Sequence, residues 1–151
     1  MKQEDKELLL KDLTARLPYG VKVQDIYYNS FEPAPVWLID INAQNVRMFA
    51  DEGYQSIEHI RPYLFPLSSM TEKQEEELIT ITDGKFRYMW GVITNAIPRK
   101  NTSEWGVSEN AFIDGIEVIN ILYIWLLKNH FDIYGLIPMG LAIDATNKKI
   151  Y

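Results

Sequence analysis

Imidazole is the side chain best suited to proton transfer and divalent-metal ligation near neutral pH, and this chain has two, His59 and His130. Each has charged neighbours: Glu58-His59 with Arg61, and His130-Phe131-Asp132. A metal-dependent or hydrolytic enzyme built on His59, His130 and carboxylates needs the two to converge from distant parts of the chain. No HxxxH or HxH spacing brings them together locally. The simpler reading of His130 is structural. It falls at the end of a predicted helix, where a protonated imidazole caps carbonyls and meets the negative end of the helix dipole. His59 reads as a loop or surface residue.

Other chemistry-bearing residue types narrow the field further. The chain has no cysteine, which excludes thiol catalysis, disulfide frameworks and thiolate zinc sites. Its glycines form neither GxxxxGK[ST] nor GxGxxG, so nucleotide chemistry has no support. Glu72 and Glu76 share a helix face, but acidic first turns are ordinary dipole stabilisation. Ser68-Ser69 has no nucleophile elbow around it and reads as a turn. No cofactor is implied.

Aromatic residues carry the remaining signals. In Pro62-Tyr63-Leu64-Phe65-Pro66-Leu67 two prolines hold large apolar side chains in an extended segment. Such a segment plugs a core or presents a preorganised contact surface, and the core plug is favoured. Trp105, in a loop with Gly and Ser, is the better candidate for an exposed contact anchor. The candidate interaction residues are therefore His130, Asp132, His59, Arg61, Tyr63, Phe65 and Trp105.

The elements that must position these residues follow from periodicity. Leu10, Leu13 and Leu17, widened by Leu9, mark an N-terminal helix over 3–17, with Lys6, Lys11, Asp12 and Arg16 solvated. Pro18-Tyr19-Gly20 ends it. Three strands follow at 21–28, 36–42 and 46–49, separated by a Pro-containing loop over 29–35 and a turn at Asn45, and they make an antiparallel meander. Residues 57–66 are extended or irregular. Thr71 followed by Gln74 is a capping box that starts an acidic helix running to Ile81 and stopped by Asp83-Gly84. Residues 86–93 fit strand or helix, and 97–107 a loop. Ser108 caps a long helix to about Asn129, apolar around much of its circumference and so buried. Residues 141–143 and 149–151 pair as a closing hairpin. The expectation is one α+β domain over 1–151.

At 151 residues and 47% hydrophobic the chain can fold without disulfides or metal. A net charge of −6 with only Arg99-Lys100 and Lys148-Lys149 as basic pairs disfavours general nucleic-acid binding. The charged stretch Met1-Lys2-Gln3-Glu4-Asp5-Lys6-Glu7 is no signal peptide. The apolar stretch 116–127, interrupted by Glu117 and Asn120, is too short for a membrane span. A cytoplasmic protein is expected.

Three segments resemble an uncharacterised family of small proteins of gut Bacteroidetes and their phages or integrated elements. They are Ala15-Arg16-Leu17-Pro18-Tyr19-Gly20-Val21-Lys22, then Ile60 through Pro62-Tyr63-Leu64-Phe65-Pro66 to Glu72, and Trp125-Leu126 through Asn129-His130-Phe131-Asp132 with Gly135-Leu136-Ile137 and Gly140-Leu141-Ala142. Asn129 stands where that pattern often has a second histidine. The resemblance implies a mobile-element setting and assigns no catalytic residue.

The favoured expectation is thus an accessory protein of a phage or mobile element acting through a protein partner, with a homo-oligomer left open. The alternatives are the enzyme on His59 and His130 and an acidic immunity or nucleic-acid-mimic protein, which would present a continuous negative face.

Overall fold

A computed structural model of the chain describes residues 1–27, 33–42, 44–48, 54–82 and 109–151. They form an α+β structure in which helices accompany a six-stranded, mostly antiparallel sheet of order β4-β3-β2-β1-β5-β6. The chain falls into two compact units, Met1–Ser69 with Leu126–Tyr151, and Met70–Trp125.

The first unit opens with α1, Gln3–Arg16, whose Glu4 and Asp5 suit the positive end of the helix dipole. Its buried face is Leu9, Asp12, Leu13 and Arg16, spaced i, i+3, i+4, i+7. The expectation that Asp12 and Arg16 are solvated is therefore corrected: both are 0% exposed. A single 3-10 turn, Leu17–Tyr19, follows, and Gly20 takes the left-handed φ of 67° that lets its N–H reach the Leu17 carbonyl.

The expected meander is present as β1, Lys22–Asp25, β2, Ala34–Asp40, and β3, Asn45–Met48, all antiparallel. β2 begins earlier than proline content suggests. Val36 donates to the Val21 carbonyl, so the neighbouring pair Lys22–Pro35 is non-hydrogen-bonded and Pro35 costs the ladder nothing. Two further strands follow: β4, Tyr54–Ser56, where no element was expected, and β5, Ile60–Leu64, within the stretch 57–66 expected to be extended or irregular. The same alternation admits Pro62. Ile26 donates to His59, which makes Val23–Pro62 a non-hydrogen-bonded pair and turns the proline nitrogen away from β1. On that other side β6, Ile143–Asp144, begins only opposite Tyr63.

β6 runs parallel to β5, which replaces the expected closing hairpin. Asp144 accepts hydrogen bonds from the backbone and hydroxyl of Thr146, turning the chain so that Ile150 folds back over Tyr63. The main core sits between α1 and one sheet face: Leu9, Leu13, Val21, Val23, Val36, Val46, Ile57, Ile60 and Leu64, with Leu136, Leu141 and Ala142 from the C-terminal segment. A smaller cluster of Tyr63, Ala145 and Ile150 seals the opposite face over β5. The proline-bounded segment is thus a core plug on both sides, Leu64 facing one cluster and Tyr63 the other.

In the second unit, α2 spans Glu72–Ile81 and carries both halves of the expected Thr71–Gln74 capping box. The last helix, α3, spans Glu109–Lys128. Up to Trp125 it buries Val118, Leu122 and Trp125, whose indole N–H donates to Glu77 at 3.0 Å. Its buried face is narrower than its apolar circumference, since Ile116, Ile119 and Ile124 are exposed. The expectations for 83–108, including the Asp83-Gly84 stop, Trp105 and the Ser108 cap, lie outside the described residues. No helix among the described residues is long and apolar enough to cross a membrane.

Candidate functional site

The densest polar cluster lies at the C-terminal end of α3. His130 adopts a left-handed φ of 59°, a conformation uncommon outside glycine and costing on the order of 1 kcal/mol or more. It closes a Schellman motif: the His130 N–H reaches Leu127 and the Phe131 N–H reaches Leu126. Phe131 then aligns with Phe65, which donates to the His130 carbonyl at 2.9 Å and accepts from Asp132 at 2.8 Å. The helix end is thereby welded to the end of β5.

Carbonyls remain to be satisfied there, and Arg16 supplies the donors. Its guanidinium grips the Asp12 carboxylate at 2.8 and 2.9 Å and donates to the carbonyls of Phe131 at 2.6 Å and Leu127 at 3.4 Å. Burial pushes the Asp12 carboxyl above its ordinary value; the Arg16 bonds pull it back, and the Asp132 charge adds to the rise. Asp132 accepts the Leu136 and Ile137 amides at 2.8 and 2.9 Å, ordering the turn after the helix.

The His130 ring lies flat against Tyr151, with centroids 3.8 Å apart and planes 12° from parallel. Desolvation, with the positive charges of Arg16 and Lys22, lowers its pKa to about 4. The expected protonated cap is therefore corrected. At neutral pH His130 is a neutral ring in a cluster that already holds two cations, and among the described residues its buried Nδ1 has no hydrogen-bond partner. The Tyr151 hydroxyl donates to the Tyr63 carbonyl at 2.9 Å and accepts from the Lys22 N–H at 3.1 Å. Burial raises its pKa to about 12. The Lys22 ammonium donates to the Ile150 carbonyl.

His59 lies elsewhere. It sits in the 3-10 turn Ile57–His59 and stacks on Tyr27 at 4.7 Å. Arg61 donates to the carbonyls of Glu58, Ile60 and Gly140, clamping the C-terminal turn, and burial lowers its pKa. The structure thus joins His130, Asp132, Phe65 and Tyr63 at one end of β5 and places His59 and Arg61 at the other. At the rise of a strand, His59 and Phe65 are about 20 Å apart, whereas ligands sharing one metal lie about 2 Å from it. The convergence that an enzyme on both histidines requires is absent. Among the described residues no group of three or more His, Cys, Asp or Glu is disposed to hold a metal ion.

A second feature escaped the sequence reading. Leu38, Arg47 and Tyr54 pair across β2, β3 and β4 and so form one row on one sheet face. Leu38 is 42% and Tyr54 52% exposed. An irregularity in register between Val36 and Leu38 leaves Trp37 61% exposed beside them. The alternation of β2 is broken there, so apolar periodicity along the strand does not mark which of its residues face outward.

Comparison of the chain with protein-family models, with curated proteins and with solved structures finds no match.

Proposed function

We propose that the chain is an accessory protein that works by binding another protein through the outer face of β2–β4. The observation that carries this reading is the row of Leu38, Arg47 and Tyr54 with Trp37 beside it, exposed on one face of the sheet. Trp, Tyr and Arg are the residues most enriched in the energetic centres of protein interfaces. Apart from His130, whose Nδ1 is unbonded among the described residues, the gathered titratable groups are occupied within the fold. Asp12, Arg16 and Asp132 satisfy backbone and one another, and Tyr151 is bonded on both sides. The phage or mobile-element setting rests on the resemblance of the three segments quoted above.

The test is affinity capture from native host cells, followed by reconstitution of the captured complex from purified components. With Trp37→Ala/Tyr54→Ala, affinity is expected to fall about 100-fold, with an unchanged circular dichroism spectrum. Full binding by that variant would overturn the reading.

A further inference from the structure

Among the described residues the two faces of the sheet are covered unequally. One face packs against α1. The other is sealed over β5 by the segment that carries Ala145 and Ile150, but over β2–β4 the residues Trp37, Leu38 and Tyr54 stay exposed. Arg47 lies at the centre of that row, because β3 stands between β2 and β4. It is exposed, and among the described residues its side chain has no ion pair.

Building on the protein-binding reading, we infer that this row docks an apolar, acidic segment of a partner protein, one carboxylate meeting Arg47 and large apolar side chains covering Trp37 and Tyr54. Charge complementarity selects this occupant. A guanidinium offers a forked donor that a carboxylate fills with two parallel bonds. The aromatic neighbours lower the local dielectric once covered, so a basic segment would leave two cations facing each other there. A second copy of the chain fits worse. A two-fold axis through the middle of the row would set Arg47 against Arg47, between molecules each carrying a net charge of −6.

The experiment selects short random peptides displayed on phage against the immobilised full chain, then measures the enriched peptides by fluorescence anisotropy. Peptides lost on Trp37→Ala are expected to be rich in Asp or Glu next to aliphatic or aromatic residues. Arg47→Glu should weaken them about tenfold or more. Exchanging their carboxylates for lysine should restore affinity for Arg47→Glu alone. Trp37-dependent peptides with neutral or basic composition overturn the acidic partner and leave the protein-binding reading standing. The absence of any Trp37-dependent peptide, together with a reconstituted complex that tolerates Trp37→Ala/Tyr54→Ala, overturns both. A dimer in sedimentation that Trp37→Ala dissociates overturns the inference in favour of a second copy.

Discussion

Replacing Arg16 by Met keeps the length of the side chain and removes all of its donors. Asp12, 0% exposed, is left as an uncompensated buried carboxylate, and the Phe131 and Leu127 carbonyls lose the bonds from the guanidinium, Leu127 keeping the one from the His130 N–H. Breaking one side of a buried ion pair costs about 3–5 kcal/mol. Against a total stability of roughly 5–15 kcal/mol that is a large share, and for a chain of this size it lowers Tm by about 10 °C. Urea unfolding followed by circular dichroism measures it. Asp12→Leu/Arg16→Met removes both charges and should recover about half of the loss, because an apolar pair of similar volume replaces a buried ion pair at little cost. The guanidinium's bonds to the two carbonyls stay lost, so recovery is incomplete. The Arg16→Met deficit should also shrink on acidification, as the stranded carboxylate takes up a proton. An Arg16→Met protein within about 1 kcal/mol of the wild type, or singles that simply add in the double variant, would refute the reasoning.

His130 gives the chain a pH dependence of defined sign. Its pKa falls from 6.5 to about 4 on folding, so between those values the unfolded chain binds more protons. Its contribution is fully present above pH 6.5 and is lost as pH falls towards 4, about 2 kcal/mol after allowance for solvent screening. His130→Asn, which tolerates the left-handed backbone, should flatten that part of a stability profile measured by urea melts; an unchanged slope would remove His130 as its source. Tyr151→Phe deletes the bonds to Tyr63 and Lys22 and should cost about 1–2 kcal/mol, with faster amide exchange at Lys22 as its local mark. Thr71→Ala removes the hydroxyl that accepts from Gln74 at 3.3 Å. A loss of about 1 kcal/mol is expected, concentrated in helical signal from α2.

Much of the scaffold was legible because its determinants are local. The spacing of Leu10, Leu13 and Leu17, widened by Leu9, located α1, alternation located β1–β3, and the Thr71–Gln74 box placed the start of α2 to the residue. What stayed hidden depends on partners distant in sequence. Asp12 and Arg16 looked like an ordinary surface pair four apart, yet they complete the same i, i+3, i+4, i+7 stripe as Leu9 and Leu13. That coincidence was the available sign of a buried pair. The neutrality of His130 follows first from its burial and then from cations contributed by α1 and β1, neither of which a helix-end rule includes. The parallel pairing of β6 depends on a crossover from a distant element, and the exposed Trp37 on a register irregularity that composition does not reveal.

The long span of the Arg16 contacts bears on how the chain is made. Its acceptors lie 111 and 115 residues further on, and the whole of Met70–Trp125 is synthesised before they exist. At about 5–20 residues per second on the ribosome, the nascent sheet waits several seconds with a guanidinium–carboxylate pair that has no helix end to cap. The Leu136, Leu141 and Ala142 side of its core is missing for the same interval. The segment from Leu126 onward therefore acts as the keystone of the segment before Met70, whose core and buried ion pair stay incomplete until it is made.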